Sequence, residues 1–268
     1  VSELFYGGKL KHRDEGKDRW EPVSEETLKI VPVSFPEEGG CDDEGKSSYR
    51  NYGELDMILR QIDAILNEPA ENEAQGYRYN PEDLFVLSPY KLQVLAIEEF
   101  VTIKAILNDF ENGVMNEAAL ARLQRIVRNW MEQKRFSDQR VDDFIGNAHS
   151  MARNKDPFLD EIHYMRTAIK KTFDVKNLRN LGPRKISFEE IESIQFSATV
   201  DSIQGQENKV VIVSFARSNP EKAIGFLKTY DAKQRINVAV SRAQERLIII
   251  WDPSTLLHHA LFQKMFSF

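Results

Sequence analysis

Arg235 and Arg242 stand seven residues apart in QRINVAVSRAQ, with Ala239 between them. Ile236, Val240 and Ala243 recur there at i, i+4 and i+7, which predicts a helix over Asp231–Ala243 with those three packed inward. The two arginines then share a neighbouring stripe, separated by a small residue. A guanidinium on a rigid helix offers a planar fork of donors that matches a phosphate. One that reaches a γ-phosphate stabilises the charge that builds up during phosphoryl transfer. The plainer alternative is surface ion pairing with Asp231 and Glu245.

The turn Asp201–Glu207 adds to that chemistry. It gathers carboxylates (Asp201, Glu207), amides (Gln204, Gln206), a hydroxyl (Ser202) and a glycine, Gly205, that permits close backbone approach. It is expected beyond the end of a strand, where ligands of open α/β sheets bind. A hydrogen-bonded turn with no ligand is the competing reading.

Strands and helices must position these groups. Leu28–Phe35 reads as a strand, with Pro32 pointing to a sheet edge or an irregularity. Pro36–Tyr49 reads as an acidic, glycine-rich loop. Leu55, Ile58, Leu59, Ile62, Ile65 and Leu66 mark a helix over Tyr52–Asn67. Leu84–Leu87 is a short buried strand ended by Ser88-Pro89-Tyr90. Further strands are expected over Gln195–Val200, Lys209–Phe215 and Arg246–Trp251, and a closing helix over Ser254–Met265. Strands alternating with helices predict an α/β fold, a mostly parallel sheet with helices on both faces. From Val94 to Thr172 the periodicity is almost wholly helical, with one stripe at Leu120–Trp130 and another at Ile162–Phe173. Residues 94–189 are therefore expected to form an all-helical insertion, between the two parts of the main domain at 1–93 and 190–268.

Composition narrows the class. The chain has 268 residues, 41% of them hydrophobic, and one cysteine, Cys41, which excludes a disulfide framework or a multi-cysteine metal site within it. A reducing compartment, cytoplasm or nucleus, is expected. No apolar run is long enough to span a membrane, so no membrane partner is expected. The start at Val1 suggests a piece of a longer protein. His258-His259 diverge on a helix and no ligand cluster stands near them, so no metal site is expected. The net charge is −6, yet residues 114–186 hold 15 basic and 9 acidic residues, a local surplus of six. Arg122, Arg125 and Arg128 line one helical face there, either as a solvated surface or as one that tracks phosphates.

VDSIQGQE, VVIVS and RINVAVSRA resemble motifs V and VI of superfamily 1 helicases, and most of all the group containing the up-frameshift nonsense-mediated-decay helicase, senataxin and the immunoglobulin-mu-binding helicase. LFVLSPYKLQV is similar to that group's motif IV, and SSYRNYGELDMI to its S-x-x-N-x-x-E element. SELFYGGKL resembles the segment just after the first RecA-like domain. The resemblance implies a RecA-like fold and the second motor domain of an ATP-dependent enzyme moving 5′ to 3′ on single-stranded RNA or DNA. It implies Arg242 as the arginine finger, Arg235 as a supporting cation, Glu207 on the nucleotide ribose, and Gln204 and Gly205 lining the nucleotide cleft. Ser88, Pro89, Tyr90, Thr199, Asp201 and Ser202 are implied to face the strand. ATP and Mg2+ would be held mainly by an upstream RecA-like domain of the same protein. Gln234 stands where many members carry a second arginine.

A formal phosphate-loop pattern, G-x-x-x-x-G-K-S, occurs at Gly40–Ser47. Asp42, Asp43 and Glu44 in its middle would repel a triphosphate, so it is read as a coincidence. Two other functions stay open: an independent NTPase built on Lys46, and a nucleic-acid or protein-binding module that keeps the motor fold, with the insertion as a docking platform for a protein partner.

Overall fold

The structure is a computed structural model that describes residues 27–41, 45–70, 76–111, 117–132, 186–203 and 205–266. The SELFYGGKL segment, the three acidic residues 42–44, Gln204 and the stripe at Ile162–Phe173 lie outside them. The chain divides into two compact units, one from the residues up to Glu98 and from Gln195 onward, the other from Glu99–Ile194.

The first unit is built on a parallel sheet of five strands. They are β1 (Leu28–Pro32), β4 (Leu84–Ser88), β5 (Ser197–Thr199), β6 (Asn208–Ser214) and β7 (Ala243–Trp251), in the spatial order β1-β7-β6-β4-β5. This is the expected α/β, RecA-like fold. The central strands read as unbroken apolar runs because both faces are covered. Phe85, Leu87, Val211, Val213, Ile249 and Trp251 form one face and pack with Ala232, Ile236, Ala239 and Val240 of helix α5 (Tyr230–Val240). Leu84, Val86, Val210, Ile212, Ile248 and Ile250 alternate with them and are equally buried. Helix α1 (Tyr52–Leu66) packs on β6 and β7 and buries Leu55, Ile58, Leu59 and Ile62. Asn51 caps it, its side chain accepting from Glu54 N at 3.0 Å. Gly53 is required at the first turn, since a Cβ there would lie 2.3 Å from Phe35 Cβ.

Pro32 sits where the sequence placed it, at a sheet edge. Leu247 N bonds Thr27 O and Val33 N bonds Trp251 O, so odd-numbered residues of β1 face β7 and Pro32 faces outward, where no amide is needed. The stretch read as a loop before α1 instead contains a two-stranded antiparallel hairpin, β2 (Glu38–Cys41) and β3 (Ser47–Arg50). Glu38 and Arg50 face each other across it and pair at 3.0 Å. The closing helix is two short ones, α6 (Pro253–Leu256) and α7 (Ala260–Phe266).

Helix α2 (Lys91–Glu111) runs from the first unit into the second, which begins at Glu99. The described part of the second unit is helical: the rest of α2, α3 (Glu117–Glu132) and α4 (Phe188–Glu192). Two hydrogen bonds tie the end of α2 to the approach to α4, Asn108 Nδ2 to Ile186 O at 3.1 Å and Phe188 N to Asp109 Oδ2 at 2.9 Å. On α3, Ala119, Leu123 and Ile126 are buried, Arg122 is half-buried and Arg125 is exposed.

Candidate functional site

The segment joining β5 to β6 is short, and it spans the sheet from end to end. Thr199, its entry, pairs with Ser88 at the carboxyl end of β4. Asn208, its exit, pairs with Ala243 at the amino end of β7, and its side chain donates to Glu82 O, ahead of β4, at 2.9 Å. Only the start of the loop therefore lies beyond a strand's carboxyl end. Gly205–Glu207 are carried to the opposite end of the sheet, which corrects the placement expected for them. Ile203, fully buried, anchors the middle. Gly205 adopts φ +83 with open space around it, so the backbone and not crowding demands glycine there.

The entry is built from hydroxyls. A 3₁₀ turn, Val200–Ser202, follows β5; Ser202 Oγ donates to Thr199 O at 2.9 Å and accepts from Thr199 Oγ1 at 3.1 Å. Asp201 and Ser202 are exposed and Thr199 is half-buried. Beside them, β4 ends in Ser88. Ser88 and Tyr90 are 0% and 2% exposed, so of this expected trio only Pro89 reaches the surface, in part. Tyr90 is a packing hub. Its ring meets Tyr49 and Phe226 edge-on at 5.3 and 5.0 Å, and its hydroxyl donates to Ile224 O at 3.2 Å. Burial pushes this phenol far above its ordinary pKa, despite the nearby Arg217 cation. Ser88 Oγ accepts from Tyr90 N at 3.2 Å, fixing the turn between them.

The exit of the loop meets the arginines. Helix α5 begins at Thr229, whose side chain accepts from Ala232 N, and it ends at Val240. Arg242 is therefore not on the helix, as the periodicity predicted, but in the two-residue connection to β7. Asn208 N bonds Arg242 O at 3.0 Å, and this ladder contact draws the chain out of helical geometry. Arg242 Nε donates to Val238 O at 3.0 Å, satisfying one of the helix's terminal carbonyls, and Nη1 reaches Gln206 O at 3.4 Å. Glu207 next to it is exposed. Arg235, about two turns earlier on α5, pairs through Nε with Asp201 Oδ1 at 2.7 Å and lies 5.3 Å from the Phe226 ring centre. Neither arginine takes the partners the surface-pairing alternative named, Asp231 and Glu245. The structure thus joins Arg235 to the loop's entry and Arg242 to its exit.

The S-x-x-N-x-x-E element has no role in the sequence reading, and the structure makes its Asn51 and Glu54 part of a buried polar cluster. Asn51, Glu54, Gln93 and Ser214 are all 0% exposed and hydrogen-bonded to one another. The serine and both carboxamides look ordinary in sequence; the signal was polar residues inside otherwise apolar periodicities. Gly40–Ser47, the formal phosphate-loop pattern, runs from β2 into β3, so a strand and not a helix amino terminus follows Lys46. Among the described residues no group of three His, Cys, Asp or Glu is placed to hold a metal ion, and no helix is long and apolar enough to cross a membrane.

A family model described as AAA domain matches residues 1–114 and 157–254. The chain belongs to the AAA domain family. Among curated relatives, this AAA domain chain is 35% identical over 96 residues to "Regulator of nonsense transcripts 1 homolog" of Neurospora crassa, covering 35% of the chain and 8% of the relative. It is 39% identical over 70 residues to "DNA-binding protein SMUBP-2" of Rattus norvegicus, covering 26% and 7%. It is 46% identical over 59 residues to "Putative ATP-dependent RNA helicase ECM32" of Saccharomyces cerevisiae, covering 22% and 5%. In each case the chain spans less than a tenth of the relative's length.

Proposed function

We propose that this AAA domain chain is the second, C-terminal RecA-like motor domain of an ATP-dependent superfamily 1 helicase acting on single-stranded RNA or DNA, in the cytoplasm or nucleus. The observation that carries this reading is the β5–β6 loop. Its hydroxyl-rich entry lies beside Ser88–Tyr90, its Gly205–Glu207 exit lies beside Arg242, and Arg235 bonds to its entry. A single loop that touches both a strand-facing surface and the arginines suits a machine in which strand grip and phosphate charge are coupled. The family and the relatives' names point the same way.

The described donors fit the phosphate side of a nucleotide: two arginines, an exposed Glu207 for a ribose, and a turn at Gly205. Among the described residues no carboxylate cluster is placed to hold magnesium; under this reading an upstream RecA-like domain would hold Mg2+ and most of the ATP. When bound, ATP would supply the anhydride bond that is hydrolysed; Arg242 would stabilise charge on its γ-phosphate, and Arg235, now paired with Asp201, would be the supporting cation. Thr199, Asp201, Ser202 and Pro89 contact the strand backbone, while buried Ser88 and Tyr90 shape that surface.

A binding module that retains the fold is the second reading, favoured by the intrachain contacts that hold both arginines. The helical unit would then serve as the platform for a protein partner. ATP turnover by the full-length protein, with and without single-stranded RNA or DNA, separates the two. Under the motor reading, Arg242→Ala lowers stimulated turnover on the order of 10³-fold and leaves strand affinity intact. Wild-type protein that turns over no ATP with either strand sinks the motor reading.

A further inference from the structure

One carboxyl group is sealed inside the domain without a part in the chemistry above. Glu54 is 0% exposed; Oε2 accepts from Ser214 Oγ at 2.6 Å and from Ala216 N at 2.9 Å, and Oε1 has no hydrogen-bond partner. Packing alone would favour an apolar side chain, because a buried unpartnered polar atom is destabilising. Burial raises the group's pKa to about 8 against the two hydrogen bonds that lower it, and the negative charges of Asp252 and Glu37 add to the rise. Arg217, the cation nearby, is bound to Glu37 at 3.0 Å.

What Glu54 holds gives its role. Ser214 Oγ also accepts from Gln93 Nε2 at 2.9 Å, Gln93 Oε1 accepts from Asn51 N at 2.7 Å, and Asn51 Oδ1 accepts from Glu54 N at 3.0 Å. The four side chains close a ring that joins the start of α1, the first turn of α2 and the exit of β6. At that exit the chain turns at Ala216, with φ 59, into a loop over residues 215–229 that ends at the cap of α5. The same loop is held a second time, where Tyr90 donates to Ile224 O. The Ser88–Gln93 segment therefore holds the last residue of β6 through Gln93 and, through Tyr90, the loop that leads into the helix carrying Arg235.

We propose that Glu54 is a positioning residue for strand-stimulated turnover, fixing where the 215–229 loop leaves β6 so that a strand bound beside Ser88–Tyr90 and Thr199–Ser202 shifts α5, with Arg235 on it and Arg242 just after it. The role rests on the motor reading. Its test is steady-state ATP turnover of the full-length protein with and without oligo-uridine or oligo-thymidine, together with strand affinity and melting temperature. Ser214→Ala, which removes one hydroxyl from the ring, and Glu54→Ala reduce stimulation roughly three- to tenfold. Unstimulated turnover and strand affinity stay as in the wild type, and Glu54→Gln, neutral and of the same shape, keeps full stimulation. Should Glu54→Ala fail to fold, Ser214→Ala carries the test. Stimulation unchanged in Ser214→Ala, or a parallel fall in stimulated and unstimulated turnover, overturns the role while leaving the motor intact. Wild-type protein without turnover overturns both.

Discussion

Arg242 and Glu54 are ionisable groups in opposite surroundings, and each has a measurable consequence. Arg242 stays half-exposed with two carbonyl partners, ready to exchange them for an anion. Glu54 is cut off from water, with its pKa raised from 4.5 to about 8. The unfolded chain loses that proton near pH 4.5 and the folded chain keeps it to about pH 8. Between those values the folded state binds more protons, so this group makes stability fall as pH rises, by up to about 1.4 kcal/mol per pH unit. Above about pH 8 the effect is constant. Glu54→Gln does not titrate; urea unfolding at pH 5, 7 and 9 should show the variant gaining on the wild type up to about pH 8 and no further. A parallel pH dependence in both proteins would mean that Glu54 is ionised in the fold. At this scale the sequence identified chemical types well and environments poorly. Arg235 and Arg242 stand at the predicted loop, but the burial of Tyr90 depends on Tyr49, Phe226 and Ile224, which lie 41 to 136 residues away in the chain.

Elements were legible wherever apolar periodicity ran uninterrupted, as in α1, β4 and β6. They were hidden where pairing, not periodicity, defines them. β2 contains two glycines and no apolar stripe, so the hairpin is specified by its ladder and the Glu38–Arg50 pair. β7 begins at Ala243, which the helical spacing assigns to α5, and its next residues, Gln244 and Glu245, are polar. Ile186, inside the helical unit, is 3% exposed and its carbonyl accepts from Asn108. Since Asn108–Asp109 and Ile186–Phe188 already touch, a short linker can replace residues 114–185 without stretching the chain. Such a deletion is expected to melt cooperatively, within a few degrees of the parent. Extending it through Phe188, which is 2% exposed, removes two buried side chains and should cost roughly 3–5 kcal/mol. Calorimetry on the two deletions checks this, and a shorter deletion that aggregates would mean that the insertion is part of the core.

Charge is distributed over the whole molecule so that the fold and the insertion do different electrostatic work. Residues 114–186 carry a surplus of six positive charges, and the rest of the chain sums to −12. Under the proposed reading, a polyanionic strand approaching the rest of the chain would meet a net negative charge and depend on short-range contacts at Thr199–Ser202 and Pro89. On α3, where Leu123 and Ile126 are buried, exposed Arg125 and half-buried Arg122 would offer a strand a cationic face under the proposed reading. Each phosphate neutralised releases counterion, so log affinity for a single strand falls against log salt with a slope of about −0.7 per contact. Affinity for oligo-uridine between about 50 and 200 mM salt should therefore be compared in the chain and in its 114–185 deletion. If the helical unit tracks the backbone with two or three cations, the deletion flattens the slope by about 1.4–2 and weakens binding most at low salt. A slope unchanged by the deletion would place strand binding in the sheet unit alone, and the positive surplus would then serve a different, acidic partner. Arg122→Glu/Arg125→Glu, which reverses two charges without removing the helix, distinguishes a local contact on α3 from the loss of the whole unit.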